Sequence, residues 1–144
     1  MIGGVAALAA LLTGVGGMGV ANASTLPAGA SATSTLAGYC DGKSPANIGD
    51  ATTARSATGE VTMQLRFSGS YQCGWARVIN GHPGSQLWVD RTSDGGKTWQ
   101  PWLGLTQVHT GTSNYTAMYD DTGTLERACG NWANTGPTVC TTWF

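Results

Sequence analysis

From Glu60 onward apolar and polar side chains alternate: Val61, Met63, Leu65 and Phe67 against Thr62, Gln64, Arg66 and Ser68. A period of two sets the first group on one face of an extended chain and predicts a half-buried strand. Further strand-like runs follow at residues 73–79, 86–91, 98–103, 114–119 and 125–129, with a short terminal strand at 138–143. Residues 69–72, opening on the small pair Gly69-Ser70, join the first two runs into a hairpin, and Asp120-Asp121-Thr122-Gly123 is the expected turn of another, between 114–119 and 125–129. Nothing after Ala23 sustains a helical period over three turns. The expectation is an all-β domain, a disulfide-bonded antiparallel sandwich or small barrel of about six or seven short strands.

Three segments differ in pattern. Residues 1–23 are uncharged and mostly Ala, Gly, Val, Leu and Ile, and end on Ala21-Asn22-Ala23, an A-x-A cleavage signal. They read as a secretory signal peptide without the usual basic n-region, so the protein is expected to be secreted and to leave the membrane after cleavage. Residues 24–38 carry no charge and no aromatic ring, and bury too little to order themselves. They read either as a flexible tail or as an arm that orders within a partner, with Leu26, Pro27, Thr35 and Leu36 as its contact residues. The domain proper is 39–144, opening with a turn-rich loop to Gly59 that holds Cys40.

Charge narrows the partners. Seven basic and eight acidic residues give a formal net charge of -1, with no like-charge run. Nucleic-acid binding needs a basic face, which this balance does not supply. Four cysteines, Cys40, Cys73, Cys129 and Cys140, imply two disulfides in an exported chain. Three pairings are open; the favoured one joins Cys129 to Cys140, close in sequence, and Cys40 to Cys73. No C-x-x-C occurs, and His82 and His109 stand at no ligand spacing from a cysteine, so neither metal nor cofactor is expected.

Thr92-Ser93-Asp94-Gly95-Gly96-Lys97-Thr98-Trp99 matches the Asp-box hairpin, [S/T]-x-D-x-G-x-T-W, in which an aspartate accepts hydrogen bonds from the turn and the tryptophan packs beneath. Of six tryptophans, Trp75 and Trp99 look structural by position, Trp75 filling the core, whereas Trp102 and Trp132 are the candidates for an exposed sugar-stacking surface. No serine lies in a nucleophile elbow. Asp120 and Asp121 have the residue type for acid/base work, but a D-D-T-G turn more often uses them to cap its own backbone. No catalytic residue is assigned. Arg77 shares its parity with Cys73 and Trp75, which suggests a buried stem with its head paired to Glu126 or Asp90, or else a solvent-facing side chain.

The elements Cys40-Asp41-Gly42-Lys43-Ser44-Pro45, Leu65-Arg66-Phe67-Ser68, Cys73-Gly74-Trp75-Ala76-Arg77-Val78, Tyr115-Thr116-Ala117-Met118 and Arg127-Ala128-Cys129-Gly130 resemble, in this order, the YjfA-like family. Its members are small secreted proteins of Gram-positive bacteria, known as a domain of unknown function. Ile48-Gly49-Asp50 stands where such proteins usually carry Gly-Cys. Proteins of this kind are similar to the adaptor subunit of secreted umbrella toxin particles, whose N-terminal arm inserts into a cleft of its partner. The resemblance implies a secreted, non-enzymatic adaptor between a large toxin polypeptide and a lectin-like subunit. The alternatives are a carbohydrate- or cell-wall-binding module and, behind it, a small secreted hydrolase using Asp120 or Asp121.

Overall fold

The computed structural model describes residues 39–133 and 136–144 of the chain. The signal segment and the arm, with Leu26, Pro27, Thr35 and Leu36, lie outside the described residues. Among those described there is no helix; nine strands run β1 (Thr52–Thr58), β2 (Thr62–Ser68), β3 (Cys73–Ile79), β4 (Gln86–Thr92), β5 (Gln100–Gln107), β6 (Asn114–Tyr115), β7 (Tyr119–Asp120), β8 (Leu125–Asn131) and β9 (Val139–Cys140). The first sheet is β1-β2-β3, with β6 and β7 both paired to β3; the second is β5-β4-β8-β9. All pairings are antiparallel. The two sheets stack as a sandwich and do not close into a barrel.

Alternation explains the stacking. Val61, Met63 and Leu65 leading into and along β2, and Ala76 and Val78 on β3, meet Leu87 and Val89 on β4 and Ala128 on β8, with Val108 closing the cluster. Each is essentially solvent-free, and burying a side chain of this size stabilises by roughly 1.5–3 kcal/mol. The β2–β3 hairpin pairs Ser68 with Cys73 and runs in unbroken register to Thr62 and Ile79.

Two expectations are corrected. Residues 52–58 form an edge strand rather than irregular loop. TTARSAT shows no apolar alternation because β1 is open to solvent along most of both faces, and its extended form comes from pairing with β2. The second expected hairpin does not exist: β7 pairs with β3 in the first sheet and β8 with β4 in the second. The turn at 121–124 carries the chain between layers. Its Asp120 side chain accepts from the Thr122 amide at 3.1 Å, so the local turn chemistry is as read and only the destination of the strand differs.

Both favoured disulfides are present, Cys40–Cys73 and Cys129–Cys140. Cys129 and Cys140 are directly opposed on β8 and β9. Cys40–Cys73 fastens the loop 39–51 onto the outer face of the first sheet, where Cys40, Cys73, Trp75 and Met118 form a second small core. Trp75 is therefore buried, but outside the sandwich rather than between its sheets. In the loop-entropy account each bridge stabilises by roughly 3–4 kcal/mol, and structural disulfides of this kind point to an oxidising environment.

The Asp-box folds as expected around Asp94, which accepts from the Thr98 amide at 2.9 Å and the Thr98 hydroxyl at 2.6 Å. Its tryptophan departs from expectation: Trp99 is half-exposed, and the indole beneath the turn is Trp143. Gly96, at φ +89°, leaves the room for it, since a Cβ there would stand 2.6 Å from Trp143 Nε1.

Candidate functional site

The two candidate stacking residues are both exposed, Trp102 at 52% and Trp132 at 43%, but they belong to separate aromatic pairs. Trp132, just past β8, lies against the His82 ring. Trp102, on the edge strand β5, rests on Trp88 with ring centroids 4.2 Å apart. Its backbone has φ 64°, a left-handed conformation that bulky residues seldom adopt. The β4–β5 register shifts on either side of Val89, so the irregularity is built into the edge.

Trp102 is one corner of an aromatic layer over the outer face of the second sheet. Buried Trp88 donates through Nε1 to Asp90 Oδ1 at 3.0 Å. Arg127 donates through Nε and Nη2 to Asp90 Oδ2 at 2.9 and 2.8 Å. The Arg127 guanidinium also stands 4.8 Å from the Trp99 ring and 4.5 Å from that of Trp143, within cation–π range. Asp90, almost wholly buried, is thus charge-paired and hydrogen-bonded, as a buried carboxylate must be. Asp90, Cys129 and Cys140 offer atoms close enough for a shared ion, but the two sulfurs are bonded to each other and are not thiolates.

The outer face of the first sheet carries a different site. Register places Arg66 opposite Trp75 and Gln64 opposite Arg77, which puts all four on one face. Arg66, Trp75 and Arg77, with Pro45, Ala46, Ser113, Asn114 and Tyr115, line a cleft of about 380 Å³. Arg66 is tethered by Thr53 Oγ1 and by the Ala51 carbonyl at 3.2 Å. Arg77 has no hydrogen bond or ion pair among the described residues. The expected partners are elsewhere: Asp90 is held by Arg127 on the other sheet, and Glu126 points between the sheets toward Gly74. Partial burial, with the Arg77 charge beside it, lowers the proton affinity of Arg66.

One end of the sandwich interior is polar. Arg91 pairs with Asp41 at 3.1 Å and donates to the Asp120 carbonyl at 3.2 Å. Beside it in register, Glu126 is fully buried with both carboxylate oxygens unpartnered. Burial pushes its carboxyl well above the usual carboxylate range, and Asp121 adds to the rise. Burial, and then the charge of Asp120, pushes Asp121 up to about 7. The sequence reading of Asp120 and Asp121 thus resolves into one turn cap and one half-buried, proton-retaining acid. The reading of Arg77 missed the cleft, although parity with Trp75 and the hairpin register were available to suggest a shared face.

Among known families, the sequence profile of one described as "protein of unknown function (DUF2690)" matches residues 38–129, well over half of the chain. The match takes in Cys40, Cys73, both arginines of the cleft, and the strands through Cys129. No curated protein and no solved structure matches.

Proposed function

Since the chain belongs to this family of proteins of unknown function, we propose its role from its own surfaces: a secreted, non-catalytic adaptor that joins other extracellular proteins. The observation that carries the reading is the tryptophan layer of the second sheet. Trp99 and Trp102 stand half-exposed, yet they rest on a frame fixed by the Asp90–Arg127 pair and the Cys129–Cys140 bridge. Partly exposed aromatics over a half-buried, ion-paired arginine are the kind of anchor from which protein interfaces draw most of their affinity. The arm at 24–38 would supply a second contact, through Leu26, Pro27, Thr35 and Leu36. The resemblance to the YjfA-like family and to the adaptor of umbrella toxin particles favours partners of that kind, a large toxin polypeptide and a lectin-like subunit.

A pull-down from culture supernatant tests this with three baits: the mature chain, the same chain beginning at Tyr39, and Trp102→Ala. The adaptor reading expects partners retained by the first and reduced by each of the others. Equal recovery on all three removes both proposed contacts. A second reading, binding of carbohydrate or cell wall, is favoured by Trp102 stacked on Trp88 at an open sheet edge, because an indole face pairs with a pyranose ring. Glycan-array binding that disappears in Trp102→Ala decides for it.

A further inference from the structure

The cleft on the first sheet is independent of the tryptophan layer and carries a separate inference. Two guanidinium groups share it, and its lining holds no acidic residue. Acids elsewhere in the fold have partners of their own: Asp50 takes the Ser68 hydroxyl and the Ser70 amide, Asp41 takes Arg91, and Asp90, on the other sheet, takes Arg127. Arg66 is fixed by two acceptors that are neutral, which orient the group without cancelling its charge. Holding two like charges in one partly buried cleft is unfavourable unless an anion joins them. The Ser113 hydroxyl, unbonded among the described residues, adds a neutral donor, and half-exposed Tyr115 adds an aromatic wall. The volume falls in the range of small-ligand sites.

We propose that this cleft binds a phosphate monoester, with the phosphoryl oxygens held between Arg66 and Arg77 and the organic group against Tyr115. The charge decides among anions. A carboxylate or a phosphodiester would neutralise only one of the two guanidinium groups, whereas a monoester carries about -1.5 to -2 at neutral pH and offers three acceptor oxygens. Arginine forks match that geometry in pairs.

Isothermal titration calorimetry of the oxidised protein tests the assignment, with phenyl phosphate, inorganic phosphate, dimethyl phosphate and benzoate as probes. Phenyl phosphate should bind most tightly, inorganic phosphate next, and the two monoanions at least roughly tenfold more weakly than phenyl phosphate. Arg77→Ala should weaken phenyl phosphate by roughly tenfold or more, Arg77→Lys by less, and Tyr115→Ala should bring phenyl phosphate down to the level of inorganic phosphate. Trp102→Ala, on the opposite sheet, should leave binding unchanged. Arg77 is partly exposed and has no hydrogen bond or ion pair among the described residues, so its variants should retain the fold, which circular dichroism checks. Phenyl phosphate binding no tighter than benzoate, or undiminished in Arg77→Ala, overturns the proposal.

Discussion

The Glu126 carboxylate occupies the space that a side chain on Gly74 would fill: a Cβ built on Gly74 collides with Glu126 Oε2. One residue is on β3 and the other on β8, so the contact spans the two layers. What faces the glycine, and not its backbone angles, disfavours a side chain there. Gly74→Ala should destabilise by about 1–3 kcal/mol, as overpacking of a core does. Combined with Glu126→Ala, the alanine should cost far less than it does alone. Urea denaturation of the two single variants and the double variant measures the coupling, and strictly additive losses would show that the two residues do not meet.

The same carboxylate gives stability a pH dependence of unusual direction. Glu126 and Asp121 both hold their protons to higher pH in the folded state than in the unfolded one. A raised folded pKa means that the folded state binds more protons, so stability is greatest below the unfolded value and declines as pH rises through the folded value. For Asp121 that window runs from 3.8 to about 7. The melting temperature should fall across it, and Glu126→Gln should flatten part of the fall and melt higher than the wild type on the alkaline side. An unchanged pH profile in Glu126→Gln would exclude its carboxyl as the source.

A second pair of acids works in the opposite sense. Hydrogen bonds from Ser68 and Ser70 hold Asp50 down to about 2, and those from Thr98 and Thr92 hold Asp94 down to about 2. Stability from these groups is present above 3.8 and is lost as pH falls toward about 2. Asp94→Asn should therefore lower the melting point at neutral pH and remove part of the acid limb. Hydrogen exchange at the Thr98 amide should quicken in the variant, and unchanged protection there would mean the aspartate does not organise the turn.

The two disulfides should separate by function. Cys129→Ser with Cys140→Ser should lower stability by roughly 3 kcal/mol while leaving the arginine cleft intact. Cys40→Ser with Cys73→Ser should cost a similar amount and also weaken phenyl phosphate, because Pro45 and Ala46 line the cleft from the loop that this bridge secures. Equal phosphate affinity in both double variants would show that the cleft wall does not depend on the bridge.

Most of the framework is legible in the residues. β2, β3, β4 and β8 are legible because each carries apolar residues buried against the other sheet, and along β2 these alternate with more exposed ones. β1 was illegible for the converse reason: largely exposed on both faces, it is a strand only because β2 supplies its hydrogen bonds. The turn after Asp120 is locally the same whether it closes a hairpin or crosses between sheets, and the choice is made by distant groups, among them Asp41, which accepts from the Asp120 amide at 2.8 Å. Glu126 shares its parity with Ala128, a signal available for its burial, yet nothing local tells that its carboxylate oxygens meet no partner there. The cleft was half-visible. Arg77 and Trp75 belong together by spacing, whereas a cleft lining without an acidic residue is a property of the whole fold.

The spacing of the two bridges has a mechanical side. A load drawn along the chain from before Cys40 to beyond Cys140 passes through the sulfur atoms and bypasses residues 41–72 and 130–139. The loop of the arginine cleft, β1 and β2 lie within the first shielded stretch, and the link from β8 to β9 lies within the second. Only the segment from Cys73 to Cys129 can lengthen. Under tension the domain would yield through its middle strands and keep both ends short.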